Sequence, residues 1–307
     1  MTNADFTHIP VMLDQVLDGL HLREGGIYLD GTFGRGGHAR ELLKRIGPDG
    51  RLLLMDQDPE AIVVATRDFG NDMRVRIRHA NFAELGDWPE TGAGLDGVLF
   101  DLGMSSPQLD DPARGFSFQT DGPLDMRMDP TRGESATQWL ERADANEIAD
   151  VLWRYGEERM SRRIARSIVA QRERQPLTTT HELAELVGRA VGHRERGKHP
   201  ATRTFQALRI HLNDELAALE NGLAGACTRL KPGGRLAVIS FHSLEDRLVK
   251  QFIRGPASRP AGPRGLPRLV QPAPLRAIGK ARFASPAEVL ANPRARSAVL
   301  RIAEKHA

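Results

Sequence analysis

Residues 27–38 read Ile-Tyr-Leu-Asp-Gly-Thr-Phe-Gly-Arg-Gly-Gly-His, a short apolar run closed by Asp30 and followed by glycines at 31, 34, 36 and 37. A glycine-rich turn between a strand and a helix lets a ligand approach the backbone closely, because no Cβ stands in the way. The flanking sequence has the rhythm such a turn requires. Ile27–Asp30 reads as a first strand and Gly37–Ile46 as the helix after it. Arg51–Asp56 is a continuous apolar run, as in a parallel strand covered on both faces. Asp58-Pro59 starts a helix to about Arg67, with proline where its missing N–H costs little. Met73–His79 and Leu95–Asp101 read as third and fourth strands. This alternation predicts a doubly wound α/β sheet.

The rhythm stops after Asp101. Residues 112–215 are rich in helical pattern and lack strong strand runs. Glu157–Ala170 puts Met160, Ile164 and Ile168 on one face and Arg159, Arg162, Arg163 and Arg166 elsewhere, an amphipathic helix with a basic outer side. A solvated face is the ordinary reading of that charge, and phosphate contact the alternative. Thr204–Leu230 carries Leu208, Leu212, Leu216, Leu219, Leu223, Cys227 and Leu230 at helical spacing and reads as one long helix, ended by Lys231-Pro-Gly-Gly. Arg235–Phe241 is a fifth strand, Ser243–Ile253 a helix and Ala298–Ile302 a last strand. The expected organisation is a cofactor-binding α/β domain made of 1–111 and 216–307, with a helical domain of 112–215 inserted in it.

Which ligand the turn admits depends on spacing and charge. A P-loop needs a lysine and a hydroxyl that this turn lacks. A dinucleotide site needs Gly-x-Gly-x-x-Gly; here the order is Gly31-x-x-Gly34-x-Gly36-Gly37, with Asp30 at the mouth. A carboxylate repels a pyrophosphate and attracts a cation. S-adenosylmethionine carries a sulfonium and an ammonium and no phosphate, so it meets that demand. The turn resembles the first motif of class I methyltransferases, and Lys231-Pro-Gly-Gly-Arg-Leu resembles another of their recurrent segments. Asp56 ends the second strand, placed to accept from ribose hydroxyls, and Asp101 ends the fourth, facing the same crevice. Taken singly, the glycine run also suits a turn without a ligand, and Asp101 a helix cap. A nicotinamide oxidoreductase and an RNA-binding assembly factor with a vestigial site are the competing readings. The glycine order and Asp30 disfavour the first, and the three intact aspartates the second.

Bulk properties set the surroundings. The chain has 307 residues, of which 40% are hydrophobic and 27% charged, the balance of a soluble globular protein. No apolar stretch is long enough for a membrane span. The first twenty residues, with Asp5, Asp14 and Asp18, do not read as a signal peptide. The single cysteine, Cys227, excludes an intrachain disulfide and a cysteine-rich zinc site, and suits a reducing cytoplasm. Net charge is +3, but Arg254–Arg282 holds seven basic residues, six prolines and no acid. That stretch reads as an extended, solvated segment, either a surface loop or a strip that meets phosphates.

Several longer blocks are more specific. They are Asp101-Leu-Gly-Met-Ser-Ser-Pro-Gln-Leu-Asp110, Arg114-Gly-Phe-Ser-Phe118, Asp121-Gly-Pro-Leu-Asp-Met-Arg-Met-Asp129, His199-Pro-Ala-Thr-Arg-Thr-Phe-Gln206, Ser240-Phe-His-Ser-Leu-Glu-Asp-Arg247 and Asn292-Pro-Arg-Ala-Arg-Ser297. With them the sequence closely resembles, from about His8 to Glu304, the small-subunit ribosomal RNA cytosine-N4 methyltransferase family, RsmH, also called MraW. The resemblance implies a class I methyltransferase fold with an inserted helical substrate-recognition domain. It also implies transfer of a methyl group from S-adenosylmethionine to N4 of a cytidine in the decoding centre of 16S rRNA. Matched onto this sequence, the family's cofactor contacts fall on Gly36, Gly37, His38, Asp56, Phe82, Asp101 and Gln108. The glycines are expected to admit the methionine end, Asp56 to accept from the ribose and Phe82 to lie against the adenine. Asp101 and Gln108 are expected to bond polar edges, with Asp30 acting through water. Read alone, Phe82 suits the core and His38 the first turn of a helix.

The N4 amine is a poor nucleophile that gains from positioning and from an acceptor for one of its hydrogens. DNA amino-methyltransferases supply that acceptor with Asp/Asn/Ser-Pro-Pro-aromatic. Asp101-Leu-Gly-Met departs from the pattern, so Asp101 or the Ser105-Ser106 region is the candidate by location. The target base must be unpaired or flipped. With only 5% aromatics, recognition is expected to rely on RNA shape and phosphates, with Lys198, Arg203 and Arg209 as contacts. The partner is small-subunit rRNA or the assembled subunit, and a homodimer is left open. No metal is implied, because His193, His199 and His211 lack ligand spacing.

Overall fold

The computed structural model describes residues 10–192, 199–255 and 273–306. The chain divides into two compact units, Met1–Gly103 with Leu216–Ala307, and Met104–Glu215. The second unit starts at Met104, where the helical pattern alone set 112.

The first unit opens with α1 (Leu13–Leu20), β1 (Ile27–Asp30), α2 (Gly37–Arg45), β2 (Arg51–Asp56), α3 (Pro59–Phe69), β3 (Val75–His79) and β4 (Leu95–Asp101). Asp58 caps α3 by accepting from the Glu60 N–H at 3.0 Å, with Pro59 in the first turn. The chain then enters the helical unit: α4 (Ser106–Asp110), α5 (Ala136–Arg142), α6 (Ala145–Gly156), α7 (Ser161–Arg172), α8 (Thr180–Val191) and α9 (Thr202–Leu212). It continues through α10 (Glu215–Arg229), β5 (Leu230–Ser240), α11 (Ser243–Arg254), β6 (Leu275–Ala277), β7 (Arg282–Phe283), α12 (Pro286–Ala291) and β8 (Val299–Lys305).

The sheet runs β3-β2-β1-β4-β5-β8-β6, with β7 also on β8. β1 to β5 are parallel, and β8 is antiparallel to its neighbours. One face buries Leu52, Leu54, Leu99, Ala237 and Ile239 with Val16, Leu17, Leu42 and Phe69. The other buries Leu29, Leu53, Val98, Phe100 and Val238 with Leu219, Leu223, Val249 and Ile253. Both faces are covered, which is why β2, β4 and β5 are apolar without alternation. The helical unit has its own core, in which Trp139, Leu152, Ile164, Ile168, Leu183, Val187 and Leu208 are buried.

Three expectations are corrected. The leucine ladder from Thr204 to Leu230 is not one helix. It breaks between α9 and α10, where Asp214 takes φ 48°. Asn213 causes the break: its side chain accepts from the Met128 N–H at 2.7 Å and donates to the Met126 carbonyl at 2.8 Å. Second, the amphipathic stretch from Glu157 begins later than expected, because Glu157 sits at φ 50° as the C-cap of α6. Third, the basic stretch 254–282 is not extended throughout. Arg254 ends α11, Leu275 is buried in β6, and Arg276 pairs with Glu304 at 2.7 Å. Residues 256–272 of that stretch, with Arg259, Arg264 and Arg268, lie outside the described residues.

Lys231-Pro-Gly-Gly follows the end of α10 at Arg229, as expected, and also forms a bulge. Leu95 pairs with Leu230 and Gly97 with Arg235, so the four residues loop out between two rungs of the β4–β5 ladder. Gly19 lets α1 lie close on β8, where an added Cβ would collide with Ile302 Cδ1. Gly19→Ala is expected to destabilise the fold by about 1–3 kcal/mol through overpacking. Adding Ile302→Val should recover part of that loss in a denaturant double-mutant cycle.

Candidate active site

The strand register decides where the carboxylates go. Asp30 pairs with Leu54 on β2 and with Leu99 on β4. Paired residues share a face of the sheet, and side chains alternate along each strand. Asp56 and Asp101, each two residues further on, therefore lie on the same face as Asp30, at the carboxyl ends of three adjacent strands. In an open parallel sheet that edge is where ligands bind.

The glycine turn is tied to this edge by its backbone. Gly31 N–H donates to the Leu99 carbonyl at 3.0 Å and Phe33 N–H to the Met55 carbonyl at 3.0 Å. Gly34 N–H donates to Asp56 Oδ2 at 2.8 Å, and Asp58 N–H to Asp56 Oδ1 at 2.9 Å. Asp56 thus holds the turn, and each oxygen keeps lone pairs for a ligand. Thr32 N–H donates to Asp30 Oδ1 at 3.1 Å, while the Thr32 hydroxyl accepts from the Asp101 N–H at 2.6 Å. Thr32 therefore links two of the three strand ends.

Gly36 adopts φ 73° as the N-cap of α2, and a Cβ there would stand 2.7 Å from the Phe33 ring. A Cβ on Gly37 would meet Pro10 at 3.0 Å. In both cases the neighbour that demands glycine is a protein side chain, so these positions do not by themselves mark where a ligand comes close. His38, buried in the first turn of α2, bonds the Val11 carbonyl through Nε2 at 3.0 Å, and its Nδ1 lies 3.7 Å from Asp101 Oδ2. Because the carbonyl can only accept, Nε2 carries the hydrogen.

The electrostatics are those of crowded acids, of which Asp30 is buried and Asp56 and Asp101 are partly buried. Asp30 is 1% exposed. Burial pushes its pKa up to about 7, against the pull of the Thr32 hydrogen bonds and with a further push from Asp56. Burial also raises Asp56 to about 6, opposed by the N–H groups of Asp58 and Gly34. Asp101 is held well above the usual carboxylate range by burial and then by the charges of Asp30 and Glu245. Its Oδ1 is buried with no hydrogen-bond partner among the described residues.

Phe82 packs on Phe100, with ring centroids 4.8 Å apart, and over Gly222, where a Cβ would lie 2.5 Å from the ring. Gln108 belongs to the helical unit. It is buried there, and its Oε1 accepts from the Ser105 N–H at 3.0 Å in the capping box of α4. Arg203 is half-buried on α9. Arg209 is not a surface cation: it forms a two-pronged ion pair with Glu215 at 2.7 and 2.8 Å, each side chain 10% exposed. Lys198 and His193 lie outside the described residues.

The end of β5 adds residues to which the sequence motifs give no role. His242 caps α11, and buried Glu245 accepts from the N–H groups of Phe241 and His242 at 2.8 and 3.2 Å. Ser240 Oγ is buried without a hydrogen-bond partner among the described residues, and His242 Nε2 lies 3.2 Å from Glu245 Oε1. The signal for this cluster was present as His242 followed three residues later by Glu245, a capping-box spacing.

A family model described as the MraW methylase family matches residues 5–306. The chain belongs to the MraW methylase family. It is 63% identical over 306 residues to ribosomal RNA small subunit methyltransferase H of Stenotrophomonas maltophilia strain K279a, covering 99% of this chain and 95% of the relative. Against the protein of that name from Xanthomonas euvesicatoria it is 59% identical, over 99% and 90%. Among solved structures, an rRNA methylase from Streptococcus thermophilus is 10% identical, with TM-score 0.44 over 95% of both chains.

A MraW-family methylase of class I fold takes S-adenosylmethionine as its cofactor. The residues at the sheet edge fit that group. Three carboxylates with raised pKa on one face are costly without a cation, and Asp101 Oδ1 has no partner among the described residues. Asp30, Asp56 and Asp101, with the turn from Gly31 to His38, are the residues that would hold it.

An acid whose pKa rises on folding favours the fold below its unfolded value and opposes it as pH climbs through the folded value. For Asp30 and Asp56 that loss is complete above about pH 7. A cationic ligand reverses it by favouring the charged form. S-adenosylmethionine affinity is therefore expected to rise with pH up to about pH 7, by up to about tenfold per unit for each proton displaced, and to level off above it. Calorimetry at about pH 6 in two buffers of different ionisation enthalpy should register the released protons. Uptake of protons, or none, would contradict the assignment.

Proposed function

We propose that the protein transfers a methyl group from S-adenosylmethionine to N4 of a cytidine in the decoding centre of 16S rRNA, in the cytoplasm. The name that the relatives carry supports small-subunit rRNA as the substrate. The observation that carries the chemistry is Asp101: a carboxylate at the strand end, with a raised pKa and a buried oxygen that has no partner among the described residues.

When bound, the cofactor supplies an electrophilic methyl on sulfonium. The rest falls to the chain. The N4 lone pair of cytosine is conjugated with the ring, so the amine attacks only if held in line and drawn toward tetrahedral geometry. Asp101 Oδ1 is the acceptor for one N4 hydrogen, which stabilises the positive charge that develops on nitrogen. Its raised pKa makes it a better acceptor than an ordinary aspartate. Burial, and after it the charges of Asp30 and Glu245, keep it basic, and the Thr32 hydroxyl fixes its backbone. Asp56 accepts from the ribose while anchoring the turn through Gly34. Phe82 is available to the adenine, Gln108 to a polar edge, and the helical unit to RNA.

Labelled methyl transfer to small-subunit rRNA or assembled subunits, followed by mapping of the modified nucleotide, tests the reading. Asp101→Asn keeps shape and removes the charged acceptor, so kcat is expected to fall roughly 10²-fold or more. Label on C5 or a ribose hydroxyl, or an undiminished kcat, would reject it. Asp56→Ala is expected to weaken cofactor binding by about tenfold or more, since the ribose hydroxyls lose a charged acceptor. Asp56→Asn should be milder, because its carbonyl can still accept from Gly34. Parental affinity in both variants would place Asp56 outside the site.

A further inference from the structure

We propose that the groove between α7 and α8 of the helical unit is a track for RNA backbone phosphates, built on Arg163, Arg174 and Arg189. This rests on the rRNA reading above and assigns residues to it.

The groove is a concavity of about 290 Å³ lined by Arg163, Ser167, Gln171 and Arg174 from the α7 side and by Leu186 and Arg189 from α8. Its charge follows from local sequence. Residues 159–172 contain five arginines and no acid. Arg172 is engaged inside the unit, donating to the carbonyls of Leu140 and Ala143 at 2.5 and 2.6 Å. Arg163 and Arg174 are exposed and have no ion pair among the described residues. Arg189 faces Glu185 at 3.5 Å, but the two side chains are 67% and 74% exposed, so solvent screens the pair. Glu141 and Glu173 are exposed acids that line the neighbouring cavity beside Arg172, not this groove.

Exposed arginines without carboxylate partners suit phosphates, because the guanidinium fork stays charged and matches two oxygens. Arg163 lies in the first turn of α7 and Arg174 just past its C-terminal end, so most of the helix of twelve residues, about 18 Å long, lies between them and they address separate phosphates along a strand rather than one. The polar residues between them fit the sugar. The Ser167 hydroxyl donates to the Arg163 carbonyl at 3.0 Å and keeps its lone pairs for a 2′-hydroxyl. A lipid surface suits the groove poorly, since Ile164, Ala165 and Ile168, the apolar side of α7, are buried in the unit's core. Arg209, one of the three cations expected from the sequence, is taken up by Glu215. Arg163 and Arg174 are among the arginines left open in the described residues.

The test is binding of a small-subunit rRNA fragment to the full chain by fluorescence anisotropy across a salt series. R163E/R174E is compared with R163K/R174K and with the off-groove pair R162E/R166E. The reversal is expected to weaken binding by about tenfold or more and to flatten the slope of log K against log salt by roughly 1.4, about 0.7 for each phosphate no longer neutralised. The lysine pair should stay within a few-fold of the parent, and R162E/R166E should lose much less. Melting temperature and S-adenosylmethionine affinity should be unchanged. An unaltered slope in R163E/R174E, an equal loss in R162E/R166E, or tighter binding of polyglutamate than of RNA through the same arginines would overturn the proposal. If the parent transfers no methyl to small-subunit rRNA yet binds it through Arg163 and Arg174, the enzymatic reading fails and the track stands. If it transfers methyl and R163E/R174E does so at the parental KM, the track fails and the enzymatic reading stands.

Discussion

Two hydrogen bonds from backbone N–H groups bind the cofactor half of this chain to its chemistry: Gly34 N–H to Asp56 and Asp101 N–H to the Thr32 hydroxyl. Each ties the glycine turn to the end of a neighbouring strand and closes it over the edge of the sheet. The turn cannot be moved without disturbing Asp56, and Asp101 cannot be moved without disturbing Thr32. The carboxylates are thus held by the element that frames the ligand, which is why they keep one face and one depth although they come from three strands.

That arrangement works against the stability of the ligand-free protein. Burial raises the pKa of each acid, and like charges at low dielectric add to the effect. For Asp30, a pKa near 7 instead of the usual carboxylate value corresponds to a few kcal/mol of unfavourable ionisation at neutral pH. The parallel strands β1, β2 and β4, apolar on both faces, provide the burial that offsets it. A site tuned for a cation is then least comfortable when the cation is absent, so the strain is released on binding.

The sheet was legible because its signals are local. Ile27–Asp30, Arg51–Asp56 and Leu95–Asp101 are apolar runs closed by an acid, and the strands have those limits. The three aspartates could be placed at strand ends from the sequence. That they share a face follows from register, which a single chain of letters does not display. The break at Asn213 was not legible, because the leucine spacing continues through it. The bonds from Asn213 to residues 126 and 128, far away in sequence, hold the chain where the helix stops. Thr32 escaped notice for a related reason: a threonine in a turn has no pattern of its own until the strand that it bonds is known.

Charge is the quantity that sequence reports least well, because it counts residues and not partners. Arg209 and Arg163 both lie on helices with basic residues nearby. Arg209 is buried against Glu215, while Arg163 stands exposed among arginines with no acid between residues 159 and 172. A buried, paired guanidinium has its hydrogen-bond geometry already satisfied. Turning it toward a phosphate would leave Glu215 as an uncompensated buried charge, at a cost of several kcal/mol. An exposed one gives up only water and counterions, whose release drives association with a polyanion. In the proposed reading, recognition of RNA by this unit is set by which arginines the fold has left unpaired, and α7 leaves several on the side away from its own core.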